Sequence, residues 1–256
     1  MPHLSRILVY PIKSMDGVSV SESELTAGGA LGFDRRWAFF DENDRTVNAK
    51  KYPAIQQIRA DFQLAQQQVT FETATGRATF DLEAESNLLE QWASDYFGKH
   101  VFLRRSEQNG FPDDDERPGP TVISEASLQE VARWFGLTTD EVRRRFRANL
   151  EIGGVEAPFW EDQLCGRLPA QPVAFSIGNV RFEGLKMCAR CPVPSRNSYT
   201  GQAEPVTFSK EFSAKREQSL PSWASPAQFP HFYFLSVNTR ITAGNHIRVG
   251  DALQLL

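Results

Sequence analysis

Cysteine is scarce in this chain: Cys165, Cys188 and Cys191 are the three among 256 residues. That is too few for a disulfide framework and fits a reducing compartment. It also falls short of the four thiolates of a plant-type iron–sulfur cluster. Long apolar runs are missing too. The opening MPHLSRILVYPIKSMDG is broken by His3, Arg6, Pro11 and Lys13, and no later run reaches membrane-spanning length. The expectation is a cytoplasmic protein with no membrane partner. There is no cationic excess, since 28 Lys and Arg stand against 32 Asp and Glu, for a net charge of −4. Without a basic field to draw a polyanion, no nucleic-acid partner is expected. No G-x-G-x-x-G follows a strand, and the glycines of TAGGALG lack the spacing and βαβ setting that hold a nicotinamide or flavin dinucleotide.

What is present reads as mostly β. The first third offers SRILVYPIK, GVSVSESEL, RRWAFFDE, RTVNAK and IQQIRADF as short strands between Gly, Asp and Asn clusters. QVTFETATGRATFDL alternates through Val69, Phe71, Ala78, Phe80 and Leu82, a hairpin with Gly76 in its turn. This region predicts a β barrel or sandwich. ESNLLEQWASDYFG predicts a helix with Leu88, Trp92 and Tyr96 on one face and Gly98 as its stop, and HVFLRR returns to strand. SEQNGFPDDDERPGP, dense in Pro, Gly, Asn and Asp, marks a boundary and divides the chain into 1–117 and 118–256. Its acidic run Asp113, Asp114, Asp115 reads as solvated loop.

Beyond the boundary, TVISEASLQEVARWFG predicts a helix with Leu128, Val131 and Phe135 inward and Ser127 and Glu130 spaced as a capping box. A second helix, TTDEVRRRF, starts from Thr138 with Glu141 three residues on. Its basic run Arg143, Arg144, Arg145 reads as a solvated face. RANLEIGG, PVAFSIGNVRFEG, FYFLSVNTRIT and HIRVGDALQLL complete a second β region with helical decoration.

Two of the three cysteines sit in EGLKMCARCPVPSRNSYTGQ, three apart around Arg190. A structural zinc site needs four ligands, and beside this pair the chain offers only Cys165 and four scattered histidines. A redox dithiol places its first thiol at a helix N-terminus, which Pro192 and Pro194 disfavour. Both cysteines also read as small buried apolar residues beside an ordinary loop.

CARCPVPSRNSYTG resembles the cysteine motif of MOSC domains, close to C-x-R-C-x-x-P-T-R-D-P-x-T-G, through Cys188, Arg190, Cys191, Pro194, Arg196, Thr200 and Gly201. Ser195, Asn197 and Ser198 stand where that pattern has Thr, Asp and Pro. LVYPIKSMDGVSV and LGFDRRWAFFDENDR are similar to the β-barrel domain that precedes MOSC in the branch including the mitochondrial amidoxime-reducing component and its bacterial relatives. VISEASLQEV, RFRANLEI and IRVGDALQLL continue the likeness in order.

The resemblance implies an N-terminal β-barrel-like domain followed by a MOSC β-barrel domain with a few helices. It implies a molybdenum cofactor, a metal held by a pterin dithiolene, with Cys191 as catalytic thiolate and metal ligand and Cys188 beside it. A generic family association with pyridoxal phosphate comes along. The cofactor's phosphate needs donors, and Lys13, Ser14, Arg35, Arg147, Asn149 and Arg190 occupy matching positions. Arg35 and Arg36 alternate along an expected strand, and Arg35 is the one assigned to the site. Ser124 and Ser127, with Thr121, open a helix whose N-terminus offers a further anion site, although capping alone explains both serines. The implied activity is a molybdenum-dependent oxidoreductase reducing small N-hydroxylated substrates. With no dinucleotide or iron–sulfur motif in the chain, electrons come from a separate flavoprotein or ferredoxin-like donor. The alternative is a carrier that passes on cofactor, or sulfur borne on Cys191, without small-substrate turnover.

Overall fold

A computed structural model describes residues 1–113, 119–166, 171–204, 207–222 and 229–256. In chain order the first part forms β1 (His3–Val9), β2 (Val18–Val20), β3 (Glu22–Glu24), β4 (Trp37–Asp41), β5 (Arg59–Gln63), β6 (Gln68–Thr73) and β7 (Gly76–Asp81). Helix α1 (Ser86–Phe97) and β8 (Val101–Arg105) follow. The second part forms β9 (Val122–Ser124), α2 (Glu125–Phe135), α3 (Thr139–Phe146), β10 (Leu150–Gly153), β11 (Val173–Ile177), β12 (Val180–Ala189) and α4 (Phe208–Gln218). It closes with β13 (Phe234–Ala243), β14 (His246–Arg248) and β15 (Leu253–Leu255).

The largest sheet runs β15-β11-β12-β13-β9-β10-β1-β2. Its strands pair antiparallel except β9 with β10, which are parallel. A parallel pair needs a crossover, and α2 and α3 supply it. β1 and β2 join this sheet through β10, so the opening of the chain shares a sheet with its end. β4 pairs with β8, β3 with β14, and β5 joins the expected β6–β7 hairpin to form a meander. The division expected at 117/118 falls on residues outside those described.

Three apolar cores result. Trp37, Phe39, Val69, Phe71 and Leu89 fill the first part, Leu4, Ile7, Phe175, Phe182 and Val237 lie under the large sheet, and Leu128, Val131, Phe146 and Phe212 sit among the helices. The fold is mostly β with few helices, as the strand patterns imply.

Several elements differ from expectation. Leu88 is 58% exposed, while Leu89 and Ala93 are buried. A strict spacing of four drifts about 40° per step around a helix of 3.6 residues per turn, which leaves Leu88 outside the inward stripe. RTVNAK is no strand: Thr46 makes one isolated bridge to Phe40 and the chain turns. IQQIRADF enters through a 3-10 turn, Pro53–Gln57, before β5. α2 is capped by Ser124, whose side chain accepts from the Ser127 N–H, and Glu130 instead binds Arg133 and Trp134. α3 starts from Thr138, whose hydroxyl accepts from the Glu141 N–H, as read. α4 has no counterpart in the sequence reading.

Candidate functional site

β12 ends at Ala189, where it pairs with Phe234, and the Arg190 N–H donates to the Tyr233 carbonyl at 3.0 Å. The chain then leaves the sheet. Pro192 and Pro194 leave a single 3-10 turn, Val193–Ser195, and no α-helix starts at Cys191. Asn197 organises the next bend, its Oδ1 accepting from the N–H groups of Tyr199 and Thr200 at 3.0 Å each. That bend needs an acceptor oxygen two residues back, which Asn supplies as well as Asp. Gly201 has φ 69, and a Cβ there would lie 2.5 Å from the Pro53 carbonyl oxygen, so the motif glycine is required by conformation and by space.

Ser198, where the family pattern has Pro, ties this loop to α3. Its N–H donates to Glu141 Oε1 at 3.0 Å and its hydroxyl to Glu141 Oε2 at 2.5 Å. Glu141 also accepts from Arg145 Nε at 2.7 Å, and these donors hold its carboxyl below the usual range against the upward push of burial. From the first part of the chain, Gln57 and Arg59 donate to the carbonyls of Thr200 and Ser198, and Arg196 reaches back to Ala49. The cysteine loop is therefore pinned between the N-terminal region and α3.

Behind the loop lies a cavity of about 560 Å³. Cys188, Arg190 and Cys191 are among its lining residues, with Lys13, Ser14, Arg35, Thr121, Arg147 and Asn149. Segments far apart in sequence meet here because β1, β9 and β10 are neighbours in the large sheet.

Each basic group arrives by its own device. Arg35 is not on a strand: it sits in a turn with φ 50 before β4, ion-paired to Asp34. Arg36 turns away to lie over Phe33 and Trp37. Arg147 is the left-handed C-cap of α3, with φ 55. Its Nη1 donates to the Met15 carbonyl at 2.5 Å, while Nη2 is buried with no partner. Burial pushes its pKa down, and Arg35 adds to that. Ser14, with φ 71, accepts from the Ala49 N–H. Asn149 is a brace: Nδ2 donates to the Leu8 carbonyl at 3.0 Å and Oδ1 accepts from the Thr121 N–H at 3.2 Å and Arg35 at 3.4 Å. Arg190 donates to the Cys188 sulfur at 3.0 Å and to the Phe146 carbonyl, with Nε buried and unpaired.

Ser124 and Ser127 are not at the cavity. Both are fully buried, bonded to each other at 2.8 Å, and Ser127 donates to Glu161 at 2.8 Å. The N-terminus of α2 is thus consumed by its cap and a core carboxylate. The basic run of α3 is not a solvated face either. Arg145 is 1% exposed and binds Glu141 and Glu204, and Arg143 binds the buried Glu151 at 2.5 Å. Asp113 is paired with Lys13 at 2.8 Å and lines the cavity, while Asp114 and Asp115 lie outside the described residues. Cys165 is buried elsewhere, against Met187, and burial pushes its thiol pKa up. Among the described residues no third His, Cys, Asp or Glu joins the cysteine pair in a group that could hold a metal.

The sequence reading missed Tyr10. Its ring lies under both Arg35 and Arg147, at 5.2 and 4.1 Å, its hydroxyl donates to the Ala148 carbonyl, and burial pushes its pKa up to about 12 although both arginines oppose this. Asp16, which holds Arg144 at 2.7 Å and lines the same cavity, was missed as well. Both partnerships are long-range, and no local spacing announces them.

A mostly β chain whose cysteine loop walls a cationic cavity is the class of protein that these observations define. Residues 1–136 match the MOSC N-terminal beta barrel domain and residues 119–254 the MOSC domain, so the chain belongs to the MOSC family. It is similar to the molybdenum cofactor sulfurase of Oryza sativa subsp. japonica, 32% identical over 270 residues that span 85% of this chain and 32% of the relative. The molybdenum cofactor sulfurases of Caenorhabditis elegans and Homo sapiens are 26% and 23% identical over 80% and 86% of this chain. The chain spans about a third of the length of these relatives, their shares being 30% and 29%. Among the described residues no helix is long and apolar enough to cross a membrane.

Proposed function

We propose that this chain binds a molybdenum–pterin cofactor in the 560 Å³ cavity, with Cys191 as the protein thiolate on the metal, and reduces N-hydroxylated compounds. The observation that carries the reading is the convergence of the cysteine loop with Lys13, Arg35 and Arg147 on one cavity. The residues fit such a group: a soft thiolate suits a redox metal, and buried unpaired donors on Arg147 and Arg190 await acceptors. Lys13, Arg35 and Arg147 are the donors for the phosphate, and Asn149 braces Arg35 rather than meeting the ligand.

When bound, the cofactor supplies two-electron redox chemistry at the metal. The overall reaction takes R–NH–OH, two electrons and two protons to R–NH₂ and water, breaking the N–O bond. Cys191 would hold the metal, and Arg190 keeps Cys188 oriented at 3.0 Å. Electrons come from a separate protein, a flavoprotein or ferredoxin-like donor.

The names of the relatives favour a second reading, in which the chain carries cofactor or sulfur on Cys191 without turnover of a small substrate. One experiment separates the two. Purified protein is analysed for molybdenum and for pterin released by oxidation, then assayed with an artificial reductant and a hydroxylamine. Metal bound with N–O reduction supports the enzyme; metal bound without it supports the cofactor carrier; no metal and no pterin defeats both of these, and a mass spectrum showing no sulfur borne on Cys191 then defeats the sulfur carrier.

A further inference from the structure

We infer that Asp113 is a tethered stand-in for an anion at Lys13, making that seat selective for dianionic phosphate groups over singly charged ions. The inference rests on the proposed cofactor site, whose phosphate is such a group, and deepens it. Lys13 has three N–H donors, and the loop after β8 meets all three: the Phe111 carbonyl at 2.8 Å, the Pro112 carbonyl at 2.7 Å and Asp113 Oδ1 at 2.8 Å. An incoming anion has to replace one of them.

The carboxylate is the partner that can leave. Lys13 is fixed, its side chain 8% exposed, whereas that of Asp113 is 69% exposed. Upstream the loop is held, since the Phe111 N–H donates to the Arg35 carbonyl at 2.8 Å and the Phe111 ring meets Phe40 edge-on at 5.3 Å. Release therefore needs only side-chain rotation at Asp113. Charge holds it in place: burial pushes its pKa up, but Lys13, Lys50 and Arg35 together bring it well below the usual carboxylate range.

A monoanion arriving at Lys13 offers no more charge than Asp113 gives up. A phosphate dianion brings two charges and several acceptor oxygens, enough to engage Lys13 and the unpaired Nη2 of Arg147 together. The tether thus sets a threshold that small carboxylates fail and phosphate passes.

The test is calorimetric titration of the full chain, freed of pterin, with inorganic phosphate and with acetate. Wild type is expected to bind phosphate and not acetate; Asp113→Asn is expected to bind phosphate about tenfold more tightly and to take acetate measurably. Asp113 is exposed, and circular dichroism of Asp113→Asn checks that the variant keeps the fold. Phosphate affinity in Asp113→Asn equal to or weaker than wild type overturns the inference, as does acetate binding by wild type. If wild type binds phosphate through Arg147, shown by loss in Arg147→Met, but Asp113→Asn gains nothing, only the Asp113 inference fails. If neither protein binds phosphate, the cofactor seat fails with it.

Discussion

Two clusters of buried charge can be set side by side. Around the cavity, Lys13, Arg35 and Arg147 face Asp34 and Asp113, with donors left over. In the core beneath α2 and α4, Glu161 and Asp162 share a single Arg216, which is fully buried and lies over Phe159 at 3.9 Å and Phe234 at 4.7 Å. Both clusters have unpaired polar atoms. Among the described residues the first lines a cavity of about 560 Å³, and of the two it is the one with positive charge to spare. Buried charge marks a binding site when something can reach it; sealed, the same chemistry is a fold element whose protonation absorbs the imbalance.

Breaking the sealed cluster should give the largest effect. Arg216→Ala leaves two carboxylates without their counter-ion, and a loss of about 3–5 kcal/mol in urea denaturation at neutral pH is expected. An unchanged midpoint would mean the pair contributes nothing. Next comes pH. Burial raises the Asp162 pKa to about 7, with Glu161 adding and Arg216 opposing. The folded state then holds a proton that the unfolded state has released, so stability falls as pH rises from about 4 to about 7, by at most a few kcal/mol. Denaturation midpoints at pH 5 and pH 8 check the sign, and a rise toward pH 8 would contradict it.

The cavity cluster answers differently. Arg147→Met should weaken phosphate binding by about 10- to 100-fold, the size of a lost charge-assisted bond, and calorimetry reads this directly. The smallest effect belongs to the loop anchor. Ser198→Ala keeps the N–H that Glu141 accepts but removes the hydroxyl, so a loss of about 1 kcal/mol is expected, together with faster alkylation of Cys191 as the loop loosens. Equal alkylation rates would detach Glu141 from the cysteine.

The sequence made the cysteine loop, the β6–β7 hairpin and the Thr138 cap legible because each depends on neighbours in the chain. It misled at α3, where three consecutive arginines look solvated until Glu141 of the same helix and Glu151 and Glu204 from other parts of the chain pair with them. It misled at Ser124 and Ser127 because a helix start carries the same signature whether its end faces a ligand or the core carboxylate of Glu161. Tyr10 and Asp16 were invisible because a floor beneath two guanidinium groups exists only after β1 and β10 pair.

Arg147 owes its place to where α3 stops. The helix counts eight residues from the Thr138 cap to the left-handed corner that carries the arginine, and each residue added or removed would swing that corner by about 100°. Evolutionary tinkering with the length of this short rod is therefore closed off. Among the described residues none between β10 and β11 lines the cavity, so changes of length in that connection leave the cavity wall in place.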